Sequence, residues 1–329
     1  YLYRRLGYTH NGWLGSRMPG NTPGSSYNCS VSGSLFLFPK WNLNTYTITY
    51  DLNDSTGNNK ATLTNPVNSY SVNSTATLPV PVRHGYTFNS WTVTSVSYLQ
   101  TDKDVFGGNE PWTTLLGGIY KGGESLTGKV GSIALKANWT ENTYTATFNL
   151  NGGNIGGSTA DIKKEYTVNS TFTYPENAQK NYYIFNNNWL VTTGDGNWAV
   201  NGTLYPAGGT SPTASYGSPV FTAQYTPIQY TVSYDSNGGS LITDDSLKTY
   251  NIESTYSLPA SIRTGYSFLG WRVKNSNDGI WEAGKTYPAG CKFKGMHGNI
   301  ELVAAWETLT STVTLALADG ETISGSRTL

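Results

Sequence analysis

Aromatic and aliphatic residues alternate with hydroxyl and amide residues along much of this chain. Tyr46, Ile48, Tyr50 and Leu52 alternate with Thr47, Thr49 and Asp51, the period of a strand with one face buried. The same opening returns as Tyr144-Thr-Ala-Thr-Phe-Asn-Leu-Asn-Gly-Gly153 and as Tyr230-Thr-Val-Ser-Tyr-Asp-Ser-Asn-Gly-Gly239. In both, Asn-Gly is a strong turn signal. A second block follows each opening: Val72-Asn-Ser-Thr-Ala-Thr-Leu-Pro79, Val168-Asn-Ser-Thr-Phe-Thr-Tyr-Pro175 and Ile252-Glu-Ser-Thr-Tyr-Ser-Leu-Pro259. It predicts an alternating strand stopped by proline. Next comes Arg83-His-Gly-Tyr-Thr-Phe-Asn-Ser-Trp91, matched by Arg263-Thr-Gly-Tyr-Ser-Phe-Leu-Gly-Trp271 and, at the start, by Arg5-Leu-Gly-Tyr-Thr-His-Asn-Gly-Trp13. No segment sustains a helical period, so the units are predicted to be mostly strand with at most short helical turns.

Each unit closes on a short apolar strand ending in an aromatic residue: Trp41, Trp139, Tyr225 and Trp306, which stand 98, 86 and 81 positions apart. That spacing suits a small independent domain. The expected organisation is a partial unit over residues 1–43 and three modules over 44–141, 142–227 and 228–307. Residues 308–329 are expected to begin a further module or a tail. The fold class expected is mainly β, in a tandem array of repeated domains.

The ordered succession of these blocks, clearest across residues 230–306, resembles the Listeria/Bacteroides repeat, also called the internalin B-type B repeat. The resemblance covers essentially the whole chain. It implies a small β-grasp-like module with little helix, found in tandem on secreted bacterial proteins that are often adhesins, and it carries no catalytic residues. Two copies depart from the pattern. The first has Asn53-Asp54-Ser55 in place of the Gly-Gly turn and a long insertion around Val96–Gly108. The second has no Arg-x-Gly-Tyr block, which leaves its local turn open but not its strand order.

Composition narrows the function. The chain has 329 residues with 21 Lys+Arg and 21 Asp+Glu, a formal net charge of zero. A nucleic-acid footprint would be basic, so that class is excluded. Charged residues are 13% of the chain, about half the usual share, while Ser, Thr and Asn make up about a third. Aromatics at 13% argue against disorder, because such a chain can bury a core. No stretch nears the roughly 18 apolar residues of a membrane span, and the N-terminus has no signal-peptide pattern. The first residue is Tyr1, so a processed chain or a fragment is expected. Only Cys29 and Cys291 are present. They occupy equivalent places in distant units, which rarely meet, so both are expected to be small buried or half-buried thiols.

Several motifs mimic chemistry. Gly279-Ile-Trp-Glu-Ala-Gly-Lys-Thr286 spells a phosphate-binding loop, yet Lys274–Asp278 before it is polar and Tyr287-Pro288-Ala-Gly290 after it is not a helix start. Phosphate cradling needs an apolar strand and a helix there. Asp51-Leu-Asn-Asp-Ser-Thr-Gly57 resembles a calcium loop, but its glycine is one place late and Thr62 stands where a bidentate Glu is needed. His10, His84 and His297 lie in three different surroundings, none with a second ligand at metal spacing. No cofactor, metal or catalytic group is expected. The sequons at Asn73 and Asn169 align with Glu253, so strand ends explain them better than glycosylation.

The recurring Trp13, Trp91, Trp189 and Trp271 are core candidates. Trp112, Trp198 and Trp281 differ, because they lie in polar, Gly-rich loops. They are expected either to cover the module core or contact a neighbouring module, or to stack on a glycan or partner, and they are the candidate binding residues. The leading functional expectation is a non-enzymatic, extracellular, cell-surface array that spaces or adheres. Its partners would be the neighbouring modules, a host-surface protein or a glycan. Short linkers at 42–45 and 226–229, one holding Pro227, predict a semi-rigid chain. The alternatives are a structural subunit of a surface filament or phage appendage, whose partners are other copies of the chain, and a glycan-binding adhesin using the loop tryptophans.

Overall fold

The chain is described by a computed structural model covering residues 3–15, 36–105, 115–276, 281–316, 320 and 322–328. Trp112 and Cys29 lie outside these residues. Three five-stranded sheets follow one another. Their strands are, in chain order, Tyr46–Asp51, Ser69–Tyr70, Tyr86–Ser97, Ile119–Tyr120 and Ser132–Glu141 in the first; Tyr144–Asn149, Ile162–Tyr166, Tyr183–Thr193, Leu204–Pro206 and Val220–Pro227 in the second; and Tyr230–Asp235, Thr249–Tyr250, Tyr266–Ser276, Thr286–Tyr287 and Ile300–Thr308 in the third. In each the spatial order is second, first, fifth, third, fourth. The first and fifth strands pair in parallel at the centre, and the other pairings are antiparallel. A parallel pair needs a long crossover, and the rest of the module supplies it.

The alternation decides which face is covered. Tyr46 and Ile48 are buried while Thr47 and Thr49 are exposed. Ile133, Leu135 and Ala137 point to the same core from the fifth strand. The second block, expected as a full strand, is shorter than its pattern suggests and does not join the main sheet. Thr75–Thr77 pairs with Ser125–Thr127, Thr255–Ser257 pairs with Lys292–Lys294, and the second module has only the bridge Thr173–Thr210. The difference follows from what this segment buries. Ala76, Leu78, Phe172, Tyr174, Tyr256 and Leu258 all face the sheet, so the ribbon forms a second layer across it.

One tryptophan joins the two layers in every module. Trp91, Trp189 and Trp271 on the third strands are fully buried. Each indole Nε1 donates to the carbonyl of the proline ending the second block, Pro79 at 2.8 Å, Pro175 at 2.9 Å and Pro259 at 2.8 Å. The closing aromatics pin the first turn instead: Trp139 donates to the Leu52 carbonyl, Trp306 to that of Ser236, and the Tyr225 hydroxyl to that of Leu150. Among the described residues the buried apolar side chains form three clusters, one per module.

The first turn keeps its geometry where the glycines are missing. Asn53, Asn151 and Asn237 all have positive φ, at 52°, 51° and 45°. Each Nδ2 bonds a fifth-strand alanine carbonyl, on Ala137, Ala223 and Ala304. Asn tolerates this conformation and its amide anchors it, so the Gly-Gly is dispensable. The Asp51 carboxylate serves the same turn by accepting from the Asn53 N–H at 2.8 Å.

At the start, Tyr8–Gly15 pairs with Leu37–Leu43 as the third and fifth strands do elsewhere. At the end, Thr310–Ala316 and Thr322–Thr328 form a hairpin. The insertion in the first module holds a short helix, Gln100–Val105. Trp271→Phe removes the donor that the half-buried Pro259 carbonyl relies on, at an expected cost of about 1–3 kcal/mol. Urea unfolding followed by Trp fluorescence should show that loss, with the other two modules unchanged. A midpoint shift spread over all three modules, or none, would contradict the reading.

Candidate functional site

Two sets of residues could carry function: the loop tryptophans and the contacts between modules. Trp198 and Trp281 enter from the loops after the third strands and are 4% and 2% exposed. The Trp198 indole N–H donates to the Tyr166 hydroxyl at 2.7 Å, which donates to the Gly217 carbonyl at 2.6 Å. The third module repeats the relay, from Trp281 to the Tyr250 hydroxyl at 3.0 Å and on to the Gly298 carbonyl. In the first module Tyr70 donates to the Gly131 carbonyl in the same place. Trp198 packs edge-on against Phe221 and Tyr205, and Trp281 against Tyr287. Both rings close over their own module cores, and a ligand could stack on them only after the loop opened. Burial pushes the Tyr166 hydroxyl up to about 12, with the Trp198 bond acting in the opposite sense. The Tyr166 hydroxyl stays neutral and acts as a hydrogen-bond relay.

The Lys285 region is equally structural. Lys285 Nζ bonds Glu282 at 2.5 Å on the surface, and the chain continues into the short strand Thr286–Tyr287. Cys291 is a half-buried free thiol packed against the third core.

The contacts between modules use one device, present four times along the chain and joined to a following module three times. A basic residue lies over the ring of the tyrosine three places later: Arg5 over Tyr8 at 3.9 Å, Arg83 over Tyr86 at 3.9 Å, Lys180 over Tyr183 at 4.4 Å and Arg263 over Tyr266 at 3.8 Å. The same cation ties down its own module, because Arg83 bonds the carbonyls of Asn59 and Thr56, Lys180 that of Asn151, and Arg263 that of Asn237. Between cation and tyrosine sits a left-handed residue: Gly7 at φ 77°, Gly85 at 87°, Tyr182 at 69° and Gly265 at 81°. The second module therefore does possess the turn that its sequence left open. Lys180 replaces the arginine, and Tyr182 adopts the unusual backbone.

Three of these tyrosines, Tyr8, Tyr86 and Tyr183, reach into the following module. Asn73 donates to the Tyr8 hydroxyl at 2.5 Å and Asn169 to that of Tyr86 at 2.7 Å, while the Tyr183 hydroxyl donates to Glu253 at 2.8 Å. At the first two contacts the valine just before the asparagine, Val72 or Val168, fills the turn. A Cβ on Gly7 would stand 2.5 Å from Val72 Cγ1, and one on Gly85 would stand 1.9 Å from Val168 Cγ1. At the third contact, Tyr182 stacks on His297 at 4.0 Å. His84 stacks likewise on Tyr216 at 5.0 Å, and Asn58 bonds Asn169 and the Val168 carbonyl.

The linkers are tied to the same turns. The N–H groups of Asn44, Asn142, Ile228 and Leu309 donate to the carbonyls of Gly7, Gly85, Tyr182 and Gly265. The first contact carries one more clasp. Asp102, on the insertion helix and fully buried, accepts from the Gly7 N–H at 3.0 Å and the Tyr46 hydroxyl at 2.7 Å. Sequence reasoning had singled out neither Asp102 nor the histidines as contact residues. The alignment of Asn73 and Asn169 with Glu253 was the available signal, since all three can bond a hydroxyl.

The Listeria-Bacteroides repeat domain matches the chain at residues 46–104, 144–210 and 230–304. A "Putative Gly-rich membrane protein" of Evansella cellulosilytica is 24% identical over 326 residues, covering 97% of this chain and 33% of the relative. A "Putative membrane protein" of the same organism is 24% identical over 248 residues, covering 75% of this chain and 31% of the relative. The chain thus spans about a third of the length of these relatives. No solved structure matches it. Among the described residues, no helix is long and apolar enough to cross a membrane.

Two outcomes follow from this geometry. Burial pushes Tyr50 as well as Tyr166 up to about 12, above the value near 10 of an unfolded tyrosine. The fold therefore prefers the protonated form. Its stability is fully present below about pH 10 and falls as pH rises through about 12. Urea midpoints at pH 8 and 11 should show the decline, and midpoints equal at the two pH values would refute it. Separately, Gly85→Ala combines a strained positive φ with a clash on Val168. Hydrogen exchange should quicken at the contact between the first and second modules, at a cost of at least about 1 kcal/mol. Unchanged exchange there would show that the contact does not depend on the glycine.

Proposed function

Because this chain belongs to the Listeria-Bacteroides repeat domain family, we propose that it is a non-enzymatic, extracellular segment of a bacterial surface protein that acts as a semi-rigid spacer carrying adhesion outward. The observation that carries this reading is the tyrosine contact made three times between successive modules. It is joined each time by a linker amide bonded to the preceding turn. A chain of freely jointed modules needs neither. The family is typically without catalytic activity.

The boundaries 44–141, 142–227 and 228–307 fit this reading, since each range encloses one sheet and one core. A mixed sheet with a parallel central pair, covered by a short ribbon, supports the β-grasp-like description of each module. Outward-facing Thr, Ser and Asn on the strands give a hydrated surface with little charge, which suits a segment held in the open. The enclosure of Trp198 and Trp281 favours a spacer over a protein that grips glycans through those rings.

Small-angle X-ray scattering of the purified chain tests the proposal. The expected profile is that of one elongated particle with a fixed maximum dimension, unchanged between low and high salt. A profile that only an ensemble of independently oriented modules can fit would overturn it. Concentration-dependent growth into ordered polymers would favour a filament subunit instead.

A further inference from the structure

The contact between modules has two halves, and their numbers do not match. The receiving half is the left-handed turn with its tyrosine, present four times, at Gly7–Tyr8, Gly85–Tyr86, Tyr182–Tyr183 and Gly265–Tyr266. The entering half is an aliphatic residue followed by Asn or Glu, present as Val72-Asn73, Val168-Asn169 and Ile252-Glu253. Each of the three entering halves is engaged within the chain. Among the described residues the Tyr266 hydroxyl has no partner, although Arg263 holds its ring as the other cations hold theirs.

The rest of a fourth contact is already in place. The Leu309 N–H bonds the Gly265 carbonyl at 2.9 Å, as Asn44, Asn142 and Ile228 bond theirs. Two residues after each linker amide comes the pair that closes the first hairpin: Tyr46 with Tyr70, Tyr144 with Tyr166 and Tyr230 with Tyr250. After Leu309 the same step reaches Ser311, which pairs with Arg327. Two places beyond the second member of each pair, the sequence reads Val72, Val168, Ile252 and Leu329, aliphatic every time.

We propose that the turn at Arg263–Tyr266 is a docking surface for a fourth repeat module, one that presents an aliphatic residue followed by Asn or Glu at the end of its first hairpin. This inference rests on the spacer reading above, and it extends that reading by giving the array a rule of assembly. Each module supplies a cation-backed tyrosine to its successor and an aliphatic-amide corner to its predecessor, so modules add in one direction with one orientation. A second copy of the chain does not suit the surface, since its three corners are occupied.

The test extends the full chain after Leu329 with a duplicate of residues 169–227, so that Asn169 follows Leu329 as it follows Val168. Hydrogen exchange at residues 264–267 is compared in the extended and original chains. The expected result is at least tenfold slower exchange in the extended chain, largely reversed by Tyr266→Phe. Equal exchange in both chains, with the added module itself protected, would overturn the proposal. Should the hybrid module fail to fold, a second chain with residues 142–227 in place of 309–329 allows the same comparison with an intact neighbour. A dimer of the original chain that shields residues 264–267 would also overturn it. Residues 84–87, at a contact already filled, serve as the internal reference. Slow exchange there with fast exchange at 264–267 in the extended chain rejects only the fourth contact, whereas fast exchange at both rejects the spacer reading too.

Discussion

The bond from a buried indole to a prolyl carbonyl holds each module together. A mixed sheet of short strands has one covered face, and the segment covering it is a ribbon of three residue pairs in the first and third modules and a single bridge in the second, too small to be stable by its own pairing. Trp91, Trp189 and Trp271 solve this by filling the space between the layers and fixing the ribbon's end with Nε1. The proline matters twice. It stops the ribbon strand, and its carbonyl is left without a ladder partner, free to accept the indole. In a module of this size, without a disulfide, large aromatic anchors of this kind offset a substantial part of the chain entropy.

The contacts between modules obey a related economy. Among the described residues the buried apolar clusters stay separate from one another. At the first two contacts a glycine lets the chains approach and a valine fills the gap, and at all three a tyrosine held by its own module's cation bonds across. Such contacts are small beside a domain core, and inter-domain motion is the usual expectation for small interfaces. Here the linker amide bonds to the same turn, so little chain is left to flex. The insertion helix reinforces the first contact with a buried carboxylate, and Tyr182 on His297 reinforces the third. Each contact is thus a variation on one scheme, with local substitutions that preserve the approach of the two backbones.

The mostly-β character, the burial of Trp91, Trp189 and Trp271 and the tandem plan were legible in the residues, because each is a local periodicity or a spacing, whereas Trp13, read as core in the same way, is only half-buried. The first turn was legible even in its degenerate copy, since Asn53 retains the amide that anchors it. Elsewhere the pattern misled. The second block alternates like a sheet strand but crosses the sheet as a ribbon, because alternation records which side chains are buried and not which backbone is the neighbour. The turn of the second module was left open by its sequence, and Lys180 and Tyr182 build it, since the position needs a cation and a tolerated left-handed backbone more than it needs Arg and Gly. The loop tryptophans sit in polar, Gly-rich sequence that reads as surface, and the relay to Tyr166 and Tyr250 that draws them inward joins residues about thirty positions apart.

The amino-acid order alone determined that this protein is a mostly β chain of tandem repeats, because hydrophobic period and turn chemistry act over a few neighbouring positions. Tertiary structure decided how the modules meet: that Asn73, Asn169 and Glu253 bond the tyrosines of the preceding unit, that Asp102 is buried beneath Gly7, and that Trp198 and Trp281 face inward. Those outcomes depend on side chains tens of residues apart being brought within 3 Å, and only the closed sheets and short linkers place them there.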